Sequence, residues 1–495
     1  MSPSRRNSCK VPISIREWLV CAFSALTLVF TAWSLGGYEN WALHLLFLGG
    51  LTTFLLSVVP MPRSWNGFDQ QHGNLKNFKR LLAQPFFWVS LCFLGYILIQ
   101  YFNPSIVQVF SEKSWWVEPM IPPLGSRLPT SVKADYHTMN ALRTFVIHAS
   151  AITLACGILV GIQRRKTALI ILWSFVTSAV AMSFVAILQK LSGTEKLIWL
   201  VDVANANPWG TFAYRNQATA FLILVLLISG LLYLFYERQS LRKLKTSGPH
   251  LLIFLFILIL SGSIWLSLSR SGIILGVFLF GLFLILALLN ALSAGINFKI
   301  WTTVGTFFIL LCFGIIFISE LSDWQEFNDR SAKLEIIIKD IESYDRYLTS
   351  KATWEMFQDR SMYGWGAGSF RYIFPIYQKE YEELWYFHDH RKQPYGRKIY
   401  NYAHNDWMQF LAEYGIVGGI LLACVFLGSF AYLWSVFKVS LISACLLLFG
   451  IMIIYINNFV DFIFSSPSYW VAFFGALALT GKLHHFELKS KELIE

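Results

Sequence analysis

Apolar runs of membrane-spanning length recur from one end of this chain to the other, and no other feature restricts its fold so tightly. A span needs roughly 20 mainly apolar residues. Runs of that kind lie at 18–36, 41–60, 85–102, 142–162, 168–189, 212–236, 250–268, 272–292, 299–319, 415–437, 440–457 and 466–481. Only 14% of the residues are charged, against about 25% in a soluble domain, so the chain cannot cover itself with a polar surface. The sequence therefore predicts an all-α integral membrane protein with about 12 transmembrane helices. The seven cysteines show no paired spacing and all but Cys9 lie in or beside apolar runs, so they read as small core residues. The basic start MSPSRRNSCK precedes a run too long for a cleavable signal, and is read as a retained anchor.

Charge placement sets the expected topology. With a cytoplasmic N-terminus, the inside segments hold Arg5, Arg6, Lys10 and Arg16; Arg63, Lys76, Lys79 and Arg80; Arg164, Arg165 and Lys166; and Arg238, Arg242, Lys243 and Lys245. Lys299, Lys438 and the tail lysines 482, 489 and 491 fall on the same side. This is the positive-inside pattern. It accounts for most of the formal charge of +11 without invoking nucleic acid, and it places both termini in the cytoplasm.

The chain divides into 1–319, with nine spans; 320–414, a large external loop; and 415–495, with the last three spans and a cytoplasmic tail. A second external segment, 103–141, contains SWWVEPMIPPLGSRLP, aromatic and proline-rich, and is expected to pack at the membrane surface. Loops as long as 320–414 are usually functional. Its opening is helix-compatible, and YGWGAGSFRYIFPIY within it reads as a tight turn followed by an aromatic run.

Ionisable residues near the spans gather at their outer ends: Arg215 in AYRNQA, Arg270 in SLSRSG, His404 in YAHNDW and Asp461 in NFVDFIF, with Arg346 in the large loop. At membrane depth such groups are functional candidates, although single arginines at span ends also snorkel to the interface. In HNDWMQFLAEYG, Asn405 or Asp406 is placed to cap a helix whose apolar stripe is Trp407, Phe410, Leu411 and Tyr414. The positive end of a helix disfavours an imidazolium, so His404 should stay neutral and able to accept a proton. Gly415, Gly418 and Gly419 then permit a bend or close packing. The pair His388 and His390 around Asp389 lacks further ligands at metal-binding spacing.

With these residues in place, the chain resembles the O-antigen ligase and O-antigen polymerase superfamily. His404-Asn405, nine residues, then Gly415-Ile416-Val417-Gly418 is similar to the His-(Asn/Ser/Gln)-x9-Gly-x-x-(Gly/Thr/Tyr) element of that family. WGTFAYRNQATAFL, SLSRSG and TWEMFQDRSMYGWGAGSF resemble further family segments in the same order. The resemblance implies a GT-C-type helical fold in the bacterial inner membrane, with the large loop in the periplasm. It also implies transfer of a glycan from an undecaprenyl-diphosphate carrier to an acceptor hydroxyl, with inversion and no metal or other cofactor. By that resemblance His404 is the base, and Arg270 and Arg346 bind the donor diphosphate. Arg215, beside Asn216 where the family pattern often lacks an arginine, is expected to be an extra phosphate contact, with Asn216, Asn405 and Asp406 in support.

A ligase acting on lipid A core in lipopolysaccharide biosynthesis is the first reading. A repeat-unit polymerase or a protein O-oligosaccharyltransferase keeps the chemistry and changes the acceptor. A small-anion transporter of the bicarbonate type is the reading of a different class; it would favour charges near the bilayer midplane, whereas here they gather at one face.

Overall fold

The computed structural model describes residues 13–62, 73–112, 114–194, 196–203, 208–242, 248–293, 344–388 and 394–492, with isolated positions in 63–72 and 301–328. The expected span at 299–319, the loop opening through 343, and Asp389 and His390 fall wholly or mostly outside these residues.

The long helices are α1 (Ile15–Thr31), α2 (Asn40–Val58), α4 (Pro85–Phe102), α5 (Ala141–Gly161), α6 (Arg165–Ser192), α7 (Arg215–Arg242), α8 (Pro249–Leu266) and α9 (Arg270–Ser293). They continue with α12 (Asp406–Val439), α13 (Leu441–Asn457) and α14 (Pro467–Glu492). Shorter helices are α3 (Gly73–Leu82), α10 (Asp345–Asp359) and α11 (Phe370–Gln378). Eight helices among the described residues are long and apolar enough to cross a membrane. The chain is an all-α membrane protein.

The helix ends follow local chemistry. Ser14, Asn140 and Ser440 cap α1, α5 and α13 through their side chains. Proline opens α4 and α8, where its missing N–H costs nothing. Gly193, in the left-handed region at φ 65°, ends α6.

Burial sorts the helices into a core and a rim. The spans of α5 and α7, and residues 469–479 of α14, are enclosed by other helices. By contrast α2, α4, α9 and α12 leave large apolar side chains such as Leu48, Leu91, Phe278 and Leu427 exposed. Those faces meet lipid. Small residues bring α2 and α5 together: a Cβ on Gly50 would lie 2.5 Å from the Ser150 carbonyl oxygen, and one on Gly157 would lie 2.8 Å from the Phe54 nitrogen.

Two faces result. The loop face carries residues 103–112, 114–140, 344–388 and 394–405. On the opposite face Arg16 donates to the carbonyls of Leu56 and Ser57 at 2.8 and 2.6 Å. There Glu17 accepts from the Gln163 and Arg164 amides, and Arg238 pairs with Glu487 at 3.3 Å.

The loop face holds elements that the sequence did not announce. Strand β1 (Pro104–Phe110) pairs antiparallel with β2 (Trp115–Pro119) and parallel with β3 (Ser131–Lys133). A second hairpin joins β4 (Tyr386–His388) to β5 (Pro394–Arg397). Between the sheet and α10 lies a separate small core that includes Ile106, Val132, Ala352, Met356 and Phe370.

Stitching between the glycine-rich turn and α12 ties this layer to the bundle. Gly415 breaks α12 at φ 64°, ψ −170°, a conformation open in practice only to glycine. The amides of Trp365 and Gly366 donate to the Ala412 and Glu413 carbonyls at 2.9 and 2.8 Å. Beyond the break, the Ile416 and Val417 amides donate to the Ser361 and Met362 carbonyls at 2.7 and 3.1 Å. The turn thus completes the hydrogen bonds that the kink leaves open. From α4, Tyr96 donates to the Tyr414 and Tyr363 carbonyls at 2.6 and 2.9 Å. The Glu413 carboxylate accepts from the Gly368 and Phe370 amides at 2.9 and 3.2 Å.

A Cβ on Gly415 would sit 2.5 Å from the Gly364 nitrogen and the Met362 oxygen. Gly415→Ala is therefore expected to destabilise the protein by at least about 2 kcal/mol. Gly95→Ala on α4, where no atom lies within 4 Å, should be near neutral. Thermal melts of the two purified variants check this; equal melting temperatures would refute the clamp.

Candidate active site

The segment before α12 is held on both sides of His404. The Ala403 amide donates to the Gln409 side chain at 3.0 Å, and the Asp406 amide donates to the Asn458 carbonyl at 2.9 Å. Asn405 is the helix cap, accepting from the Met408 amide at 3.2 Å. Asp406, the other capping candidate, is instead the first helical residue; it is buried and accepts from the Phe464 amide at 2.8 Å. Between these anchors His404 takes φ 53°, in the left-handed region where residues other than glycine are uncommon.

His404 lies on the wall of a cavity of about 570 Å³, shared with Tyr38, Tyr214, Tyr402 and Phe462. Phe462 is stacked between Tyr214 (4.9 Å, 17°) and Tyr402 (5.0 Å, 9°), and meets the His404 ring edge-on at 4.5 Å and 86°. Burial, with the charge of Arg346 added to it, lowers the His404 pKa to about 3. Its Nδ1 is buried and has no hydrogen-bond partner among the described residues. The imidazole is therefore neutral, with no carboxylate to fix its tautomer.

Arg346, in the first turn of α10, donates to the Val460 carbonyl, lies 3.4 Å from the Tyr214 hydroxyl and pairs with Asp461 at 3.9 Å. Burial opposes its charge, but Asp461 and the phenols of Tyr214 and Tyr344 outweigh that and hold the guanidinium more firmly protonated than usual. Asp461 is fully buried; Asn216 and the Phe462 amide also donate to it. Asn216 bonds the Tyr214 hydroxyl at 2.8 Å and accepts from Ser269 at 2.8 Å.

Four connections on the loop face thus meet. Arg270 follows Ser269 directly, opens α9, and has a buried guanidinium nitrogen with no partner among the described residues. Arg215 opens α7 beside Tyr214, and its charge is felt at the Tyr214 hydroxyl. His404 and Arg346 share one electrostatic environment; Asn216 joins Arg346 through Asp461, and Arg270 joins the network through its neighbour Ser269. Asn405 caps α12 and Asp406 ties its start to Phe464; neither lines the cavity.

Sequence reasoning noted Asp461 but gave it no role. An ionisable side chain between two spans was the available signal. The aromatic stack and the Asp345–Lys398 pair on the cavity wall (2.7 Å) had none.

Fold and site together define a multi-pass helical membrane protein with a histidine-bearing cavity on one face. Residues 253–423 match the family model for O-antigen ligases, and no curated protein matches the chain. Over that stretch the chain is similar to the O-antigen ligases. The match includes Arg270, Arg346, His404, Asn405 and Asp406, while Arg215, Asn216 and Asp461 lie outside it.

A left-handed residue other than glycine costs about 1–2 kcal/mol. His404→Gly should therefore be more stable than His404→Ala by about 1 kcal/mol; equal melting temperatures would show that the backbone relaxes freely. The pKa depression has its own signature. Between pH 6.5 and 3 the unfolded chain binds a proton at His404 that the folded protein does not, so wild type loses stability as pH falls through that window. The melting temperature of wild type should drop relative to His404→Gln as pH falls from 7 to 4. A constant difference would contradict the burial of the ring.

Proposed function

We propose that the protein transfers a glycan from an undecaprenyl-diphosphate carrier to an acceptor hydroxyl on the loop face, which we assign to the periplasmic side of a bacterial inner membrane. A ligase acting on lipid A core is the reading put first. The observation that carries this proposal is a neutral His404 on a cavity wall, within reach of the Arg346 charge and inside the stretch that matches O-antigen ligases.

The chemistry follows from the residues. The acceptor oxygen attacks the anomeric carbon, the bond from that carbon to the phosphate oxygen breaks, and the diphosphate leaves with the electron pair. Inversion results from a single displacement. The leaving group is a stable anion and needs no proton. Arg346, Arg270 and Arg215 supply fixed cationic donors for it, and Asp461 keeps Arg346 aimed from behind. His404 receives the acceptor proton.

A histidine with a pKa near 3 is a weak base, and donor binding corrects this. The diphosphate offsets the charge of Arg346, one of the two causes of the depression, so basicity rises when substrate is present. The base is armed by the donor. The distribution of charge at one face, with no broken helix at the midplane among the described residues, supports surface chemistry over transport.

The test is transfer by purified protein given lipid-linked saccharide and a panel of acceptors (lipid A core, a second lipid-linked unit, a Ser/Thr peptide), in EDTA, with products read by mass spectrometry. His404→Ala is expected to lose about 10²–10⁴-fold in rate and Arg346→Ala about 10²–10³-fold, with Arg346→Lys between Arg346→Ala and wild type. The acceptor used names the subclass. Undiminished transfer by His404→Ala would remove it as the base. No transfer by folded wild-type protein that also fails to bind the donor would overturn the glycosyltransferase reading.

A further inference from the structure

Residues 120–129, nearly all of the connection between β2 and β3, do not belong to the site, yet they are built with unusual care. They are pinned to the end of a lipid-facing helix. Asn103, the residue after α4, is buried, and its whole side chain is spent on this loop. Nδ2 donates to the Gly125 and Pro129 carbonyls at 3.0 and 3.1 Å, and Oδ1 accepts from the Leu124 amide at 2.7 Å. The Met120 amide donates to the Ser105 carbonyl and the Gly125 amide to the Pro122 carbonyl, at 2.8 and 3.0 Å. Pro122, Pro123 and Pro129 stiffen the segment further.

What this fixed loop presents outward is apolar. Ile121 is 90% exposed and Leu124 50%. A mobile loop can turn such side chains inward; this one cannot. The surface beside it is also apolar, because the last turn of α4 exposes Ile99, Tyr101 and Phe102. That turn belongs to a candidate span, so the loop extends the face that α4 already presents to lipid. Polar groups at the patch margin fit the same boundary. Trp116 directs its indole N–H to Glu118 at 2.6 Å, and Arg127 is exposed within the loop. Tryptophan and arginine of this kind sit at the headgroup level.

We propose that residues 120–129 are seated in the headgroup–acyl boundary of the leaflet on the loop face, with Ile121 and Leu124 as the inserted side chains and phospholipid as the occupant. The seat has a mechanical role. Ser131, two residues past Pro129, donates to the Gln100 carbonyl at 2.6 Å and backs directly onto Gly366, where an added Cβ would lie 2.4 Å from the Ser131 Cα. The loop, the end of α4 and the glycine-rich turn are therefore one rigid piece. Lipid contact at Ile121 fixes the depth of that piece. The inference needs only the membrane fold and is independent of the proposed reaction.

The test places a benzophenone amino acid at position 121 of the full chain, in nanodiscs of mixed zwitterionic and anionic phospholipid. The same probe at Glu383, exposed in the large loop, is the comparison. After irradiation, mass spectrometry is expected to find phospholipid adducts at 121 and none above background at 383. Absence of lipid adducts at 121 with the probe incorporated, or adducts there to a second protein chain in place of lipid, would overturn the proposal. The double variant Ile121→Ser/Leu124→Ser should leave the melting temperature in detergent unchanged while lowering it in nanodiscs. A loss of equal size in both would show that these side chains serve the fold and not the bilayer.

Discussion

The architecture of the loop face depends on a break in one helix. At Gly415 the backbone of α12 leaves its own hydrogen-bond ladder near the end of a span, where unpaired amides and carbonyls are costly. The glycine-rich turn supplies the missing partners, backbone to backbone, at a closeness that side chains would prevent. That joint positions everything before it. His404 lies eleven residues upstream, and the turn that carries it is fastened to α12 through Gln409 and to the α13–α14 connection through Asn458 and Phe464. Among the described residues the imidazole is placed by the bonds on either side of it and by the edge-on contact with Phe462, with no hydrogen bond to its Nδ1.

Electrostatics at the cavity follow the same logic of fixed backing and open front. Asp461, buried, holds Arg346 from behind and spends its remaining capacity on Asn216 and a backbone amide. A buried pair of this kind contributes little net stability. Its value is orientation: the guanidinium is anchored by one edge, and its charge adds to the burial that keeps His404 uncharged. An anion arriving at Arg346 would change the state of the histidine without moving either residue.

Much of this was legible in sequence because the signals are local. The capping Asn405, the bend at Gly415 and the turn at YGWGAGSF each rest on residues within a dozen positions of one another, and a span on a run of roughly 20. Arg346 and His404 were named from the resemblance, and in the fold the charge of Arg346 is felt at His404. What stayed hidden is non-local. Asp461 meets Asn216 across 245 positions, and no periodicity in either segment encodes that meeting. The three-stranded sheet was missed because β1 and β2 are short and the aromatic, proline-rich composition of 103–141 reads as an external segment packed at the membrane surface. The Tyr214–Phe462–Tyr402 stack joins three connections whose aromatics look, singly, like any others at a membrane interface.

The placement of α14 has a consequence for biogenesis. It is enclosed by helices that precede it in the chain, and the connection leading into it carries Asp461 and Phe462. A membrane-inserted nascent chain lacking this segment would hold a vacant slot at its centre, with Arg346 uncompensated and His404 without its aromatic neighbour. The earlier helices must stay separable until α14 arrives to fill that slot. Insertion of the central helix and completion of the cavity are then a single event, so incompletely synthesised copies cannot hold a finished site in the membrane.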